Sequence, residues 1–135
     1  MADFLDLTIV TPERSLVRDE VEAVQVPGLG GYLGLLPGHA PLFSKLQIGE
    51  LVYTVNGVSS SLAIASGFLE VLGNEVRVLA DVAERAAEID IERANDAYSR
   101  AEERLAGSDD AIDVPRAISA LERAKVRVQI ATGKH

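Results

Sequence analysis

Phe68 Leu69 Glu70 Val71 Leu72 Gly73 Asn74 Glu75 Val76 Arg77 Val78 Leu79 reads as two strands about a tight turn. Branched and aromatic apolar residues dominate both arms, and Gly73 Asn74 tolerates the positive φ of a two-residue hairpin turn. The pattern recurs upstream: Leu51, Tyr53 and Val55 alternate with polar or smaller neighbours before Asn56 Gly57, a second such turn. Leu5, Leu7 and Ile9 alternate with Asp6 and Thr8, and Glu22, Val24 and Val26 with Ala23 and Gln25. Short strands, frequent turns and no helical crossover point to an antiparallel β-sandwich or barrel of eight to ten strands.

Downstream, the character of the chain changes near residue 83. Residues 1–83 hold 10 acids and 4 bases, while the shorter stretch 84–135 holds 11 acids and 9 bases; 9 of the 11 glycines and all prolines but Pro115 lie in the first part. The apolar period also changes from two to between three and five. Ile89, Ala94, Ala97, Tyr98, Ala101 and Leu105 mark one helical face, and Val114, Ala117, Ile118, Leu121, Ala124 and Val128 a second. Gly107 Ser108 Asp109 Asp110 reads as a helix stop and turn, and Asp113 before Val114 Pro115 as an N-cap with proline in the permitted first turn. The expected architecture is therefore α+β in two parts: a β-sandwich over residues 1–83 and a helical hairpin over 84–135. Alanine dominates the inner faces of the hairpin, so its helices form readily but bury little apolar surface. Weak docking suits an element that changes place; a simple packed layer is the plainer alternative.

Composition narrows the classes of function. The 135 residues carry 21 Asp and Glu against 13 Lys and Arg, a formal charge of −8, and 47% are apolar. That apolar content permits a core and argues against wholesale disorder. The acid excess argues against a nucleic-acid partner, whose phosphates demand a basic surface, and against a polybasic membrane patch. Without cysteine there is no disulfide, thiol nucleophile or thiolate metal site, and two histidines are too few for a dedicated zinc centre. No metal is expected. Met1 Ala2 Asp3 Phe4 Leu5 Asp6 lacks the features of a cleaved signal. No window approaches the roughly 18 to 20 apolar residues of a membrane span. A cytosol-like compartment is expected.

Gly and Pro concentrate in Gly30 Gly31 Tyr32 Leu33 Gly34 Leu35 Leu36 Pro37 Gly38 His39 Ala40 Pro41 Leu42, which reads as a stiff loop. Its glycine spacing fails the dinucleotide fingerprint, and no Lys-Ser or Lys-Thr follows to make a P-loop. His39 has no patterned nucleophile or acid partner and reads as a loop hydrogen-bonder rather than a catalyst. No catalytic residue is expected, and a small hydrolase is disfavoured for the same reason.

The segment from Gly31 to Pro41 resembles the Gly-x-Leu-Gly-Ile-Leu-Pro-Gly-His-x-Pro signature of the epsilon subunits of bacterial rotary ATP synthases. Thr11 Pro12 Glu13 Arg14 resembles the exit of that family's first strand, and Ala65 Ser66 Gly67 Phe68 Leu69 Glu70 Val71 its late strand. The helical tail matches its carboxy-terminal hairpin. The resemblance covers essentially the whole chain. It implies a ten-stranded sandwich docked on the gamma subunit and the c-ring, with residues Gly31, Tyr32, Leu33, Gly34, Leu35, Leu36, Pro37, Gly38, His39, Ala40, Pro41 and Leu42 as the contact loop. It implies a non-catalytic rotor subunit, attached peripherally through its complex to the cytoplasmic face of a bacterial plasma membrane.

The tail carries a second constellation. Arg93 and Arg100 lie seven apart on one helix, and Arg123 and Arg127 four apart on the next, so a folded hairpin can gather four guanidiniums suited to phosphate oxygens. Intrahelical pairing, Asp96 with Arg100 and Glu122 or Gln129 with nearby bases, is the competing reading. The resemblance bears on this choice. Some epsilon subunits bind ATP through Ile-Asp-x-x-Arg-Ala, which stands here as Ile89 Asp90 Ile91 Glu92 Arg93 Ala94, with Glu84 upstream and Arg100, Arg123 and Arg127 as the accompanying arginines. The resemblance thus implies regulatory ATP, with no obligatory cofactor. It also implies a hairpin that frees the motor when folded and, when extended along gamma into the alpha/beta catalytic head, inhibits hydrolysis. A stand-alone ATP-sensing module is the alternative, but it leaves the stiff loop without a purpose.

Overall fold

The computed structural model describes residues 4–107 and 111–133. Eight strands come first: β1 Leu5–Val10, β2 Ser15–Val21, β3 Ala23–Gly28, β4 Gly31–Leu35, β5 Leu42–Leu46, β6 Gly49–Val55, β7 Val58–Leu72 and β8 Glu75–Arg85. A single 3-10 turn, Ala86–Glu88, leads into helices α1 Ile91–Ala106 and α2 Val114–Thr132. Ser108, Asp109 and Asp110 of the expected helix-joining turn lie outside the described residues, as do Met1, Ala2 and Asp3.

The architecture is the expected sandwich followed by a helical hairpin, with eight strands in place of about ten. Two long strands account for the difference. One half of β7 pairs with β6 and the other with β5, while β8 follows it along both halves. β7 and β8 therefore each serve two layers, one ordered β2-β1-β8-β7-β5 and the other built on β4, β3, β6, β7 and the end of β8. The change of layer occurs at Ser66 and Asp81, which face each other in an unbroken register between the pairs Ala65↔Val82 and Gly67↔Ala80. Ser66 turns left-handed at φ 64°, and its Oγ donates to Asp81 Oδ2 at 2.5 Å. Gly67, at φ 140°, lies so close to the Leu79 carbonyl that any Cβ would overlap it. A strand that bends in this way need not break.

The pairings are antiparallel except for β1 beside β8, which run parallel over residues 6–10 and 75–79. The alternation read from the sequence becomes the core. Leu5, Leu7, Ile9, Val24, Val26, Leu51, Tyr53, Leu69, Val71, Val76 and Val78 all point inward and are buried. Asn56 Gly57 and Gly73 Asn74 form the two expected tight turns. The expected loop from Gly30 to Leu42 is partly strand. Tyr32, Leu33 and Leu35 alternate within β4, with Leu33 and Leu35 paired to Val26 and Val24, and Leu42 opens β5, so only residues 36–41 are irregular.

In the hairpin, α2 lies on β6 and β7, and α1 packs on α2. Asp113 caps α2 as expected, its Oδ1 accepting from the Arg116 amide at 3.1 Å with Pro115 in the first turn. The seam holds the alanines Ala94, Ala101, Ala117 and Ala124, all buried. A separate small cluster of Ala63, Ile89, Ala94 and Ile130, flanked by Val126 and Val128, joins the hairpin to the sheet.

Candidate functional site

The last residues of β8 and the first turn of α1 face the C-terminal half of α2 across a cleft of about 340 Å³. Ile48, Ala63, Ile64, Val82 and Val126 give it apolar walls, and Glu84, Arg93, Arg123 and Arg127 supply its charged side chains. Three of the four arginines singled out in the sequence thus converge with the upstream acid. Arg100 is exposed and does not line the cleft. Glu84 and Arg127, each about one quarter exposed, form a fork: Nε lies 2.8 Å from Oε1, off the N–H axis, and Nη2 donates to Oε2 at 3.2 Å. Among the described residues, Arg93 and Arg123 have no carboxylate within 4.0 Å, and the pairing of Asp96 with Arg100 considered above does not form. The cleft therefore holds three guanidiniums against one carboxylate, in a chain whose net charge is −8.

The rest of the Ile89 to Ala94 motif builds the root of the hairpin. Asp90 is the N-cap of α1, its Oδ1 accepting from the Arg93 amide at 3.0 Å, which directs the Arg93 position toward the cleft. Ile89 and Ala94 are buried in the cluster joining hairpin to sheet. A depression of about 370 Å³ on the outer face of β1, β2 and β8 is comparable in size, but charges of both signs line it, including Asp6, Arg18, Glu75 and Arg77. It lacks the cleft's combination of apolar wall and single-sign excess, so the cleft is the stronger candidate for an organic anion.

The root is held by side-chain contacts that the sequence reading did not anticipate. The Arg85 guanidinium donates to the Tyr53 hydroxyl at 3.3 Å and to the Leu16 carbonyl, fixing the end of β8 to the sandwich. Glu88 accepts from the Arg85 amide at 3.0 Å and pairs with Arg14 Nη1 at 2.6 Å. The Arg14 guanidinium, followed by the Arg85 amide, holds the Glu88 carboxyl below the usual range, and Glu88 in turn raises Arg14. Arg14 sits in the β1–β2 turn, where Thr11 Oγ1 accepts from the Glu13 and Arg14 amides at 3.3 Å each. No local pattern signals these contacts, because the partners are far apart in sequence.

At the far end of β7, residues 36–41 are tied to the β7–β8 turn. Asn74 Oδ1 accepts from the Gly38 amide at 3.2 Å, and the Asn74 carbonyl accepts from Asp6 at 2.7 Å. His39 Nδ1 donates to the Ala40 carbonyl at 2.6 Å, a loop hydrogen bond as expected. Beyond the loop, the outer face of β5, β7 and β8 exposes an apolar strip. The Phe43 and Phe68 rings stack with centroids 5.7 Å apart, and Leu79 is paired opposite Phe68. Apolar residues on the outward phase of three adjacent strands were the sequence signal for this surface. Among the described residues, no helix is long and apolar enough to cross a membrane.

Comparison with known proteins bears on both regions. Residues 4–86 match the beta-sandwich domain of the ATP synthase delta/epsilon chain, and residues 87–132 its long alpha-helix domain. A protein of Solibacter usitatus named ATP synthase epsilon chain is 50% identical, covering 99% of this chain and 100% of its own. One of the same name from Koribacter versatilis is 53% identical over 78% of this chain and 74% of its own. A chain in the Euglena gracilis mitochondrial ATP synthase structure containing OSCP, F1 and the c-ring has the same fold, with a TM-score of 0.84 and 24% identity over 98% of this chain and 83% of that one. Both domains match in order over nearly the full length, and so the chain belongs to the ATP synthase delta/epsilon family.

Proposed function

We propose that the chain is the epsilon subunit of a bacterial F-type ATP synthase, a non-catalytic part of the central stalk. The sandwich docks on the gamma subunit and the c-ring, with the apolar strip of Phe43, Phe68 and Leu79 and the segment 31–42 as its contact surfaces. Complex formation holds the subunit at the cytoplasmic face of the plasma membrane. Support comes from relatives named ATP synthase epsilon chain and from the stiffness of the loop, since a preorganised backbone loses less entropy on docking.

The hairpin is the regulatory part. Docked on the sheet it leaves the motor free, and extended toward the alpha/beta head it obstructs hydrolysis. ATP binds the arginine cleft and favours the docked position. The observation that carries this reading is the convergence of Arg93, Arg123 and Arg127 between sheet and hairpin, two of them without an ion-pair partner among the described residues. A triphosphate bridging β8, α1 and α2 is lost when the hairpin leaves. Ligand at one hundred times its dissociation constant therefore stabilises docking by about 2.7 kcal/mol. Calorimetric titration of the full chain with ATP tests the site. Saturable heat is expected, with affinity at least about tenfold lower in Arg93→Ala and Arg127→Ala, given the strength of charge-assisted hydrogen bonds. No heat at millimolar ATP removes the sensor role and leaves the stalk role, which copurification with gamma tests separately.

A further inference from the structure

If the hairpin has two positions, something must decide where the moving part begins, and the contacts around residues 85–90 locate that point. Arg85 belongs to the sandwich: its backbone ends β8, and its guanidinium is bound to Tyr53 of β6 and to the Leu16 carbonyl of β2. Asp90 belongs to the hairpin, since it caps α1. Between them lie the turn Ala86–Glu88 and Ile89.

Within that turn, one side chain ties the connection back to the sandwich. Glu88 spans to Arg14 at 2.6 Å while also accepting from the Arg85 amide at 3.0 Å. Arg14 is itself held in a turn braced by Thr11, with the Thr11 amide donating to the Arg14 carbonyl at 2.9 Å. The pair is half-exposed and does not line the arginine cleft, although Arg14 feels the charge of Glu84 at the edge of that cleft. We infer that Arg14 and Glu88 form a latch at the root of the hairpin. Their ion pair holds the turn Ala86–Glu88 in its folded course, and its opening lets the chain between Arg85 and Asp90 swing. The inference rests on the two-position reading and adds to it a specific, ligand-independent control.

The chain has no cysteine, so spin labels at Ser59→Cys on the sandwich and Ser99→Cys on α1 report the hairpin position without interference. Distances are measured by pulsed electron resonance in the full chain, without and with ATP, and in the assembled synthase. Arg14→Glu and Glu88→Arg are each expected to raise the ratio of undocked to docked hairpin about two- to fivefold, the range for a surface ion pair. The double variant Arg14→Glu with Glu88→Arg remakes the ion pair but not the acceptor for the Arg85 amide, and so brings the ratio part of the way back to the parental value. Two distances with populations unmoved by either single change, or singles that the double fails to rescue, overturn the latch and leave the two-position reading intact. One distance throughout, in every variant and condition including the assembled synthase, overturns both.

Discussion

Glu88 shows how much one exposed carboxylate can be asked to do when two donors meet it. The Arg14 guanidinium and the Arg85 amide favour its ionised form, so its folded pKa lies below the unfolded value of about 4.3. The sign of the linkage follows. The contribution to stability is fully present above the unfolded value and is lost as pH falls through the depressed folded one. Carbon-13 NMR of the Glu88 carboxyl is expected to give a midpoint below about 4.3 in the parent, moving upward in Arg14→Gln. The difference in urea stability between the two proteins is expected to be constant near neutrality and to close as the pH drops below that midpoint. A midpoint unchanged by removing Arg14 sinks the assignment. At the same scale, Asp90 caps a helix and Ile89 fills an apolar cluster, structural roles that neither needs a nucleotide to fulfil.

Among the elements, α2 carries the attachment of the hairpin. It alone of the two helices lies broadly on β6 and β7, and its Ile130, 4% exposed, is the largest buried side chain that either helix contributes to the joining cluster. The helix–helix seam is made of alanines, which permit close approach but remove little surface from water. Ile130→Ala is therefore expected to weaken docking by about 2–4 kcal/mol, in the range for a buried isoleucine truncated to alanine. Helical content should persist while the labelled distance between sandwich and α1 broadens, and sheet amides should keep their NMR shifts away from β6 and β7. A docked distance identical to the parent's contradicts the picture of a weakly seated hairpin. In the sheet, the corresponding control point is the pair of positive-φ residues Ser66 and Gly67, where the strand bends from one layer to the other without a change of register.

Across the whole molecule, one candidate surface lies near the middle of β7 and the other just beyond its end. The hairpin docks at Ala63 and Ile64 of β7, whereas the segment 36–41 is tied to Asn74 just beyond its end, roughly 30 Å away along an extended strand. On the function proposed above, the sheet separates a contact surface from a movable hairpin. Hydrogen exchange of the full chain is expected to show this division, with α1 and α2 amides exchanging through lower-energy openings than the core amides of β1, β7 and β8. Equal protection in helices and sheet indicates one cooperative unit and removes the basis for independent motion. Much of this organisation was legible in the sequence. The alternation of Leu5, Leu7 and Ile9, the turns at Asn56 Gly57 and Gly73 Asn74, the Asp113 cap and the alanine faces are signals confined to a few neighbouring residues, and each was found where it was expected. The merger of ten strand segments into eight strands, the parallel pairing of β1 with β8, the choice of α2 over α1 as the docked helix, and the pairs Arg127 with Glu84 and Arg14 with Glu88 were decided only in three dimensions. The reason is physical: periods, turns and caps depend on local backbone geometry, whereas sheet neighbours and distant ion pairs are selected from many locally equivalent partners by the packing of the entire chain.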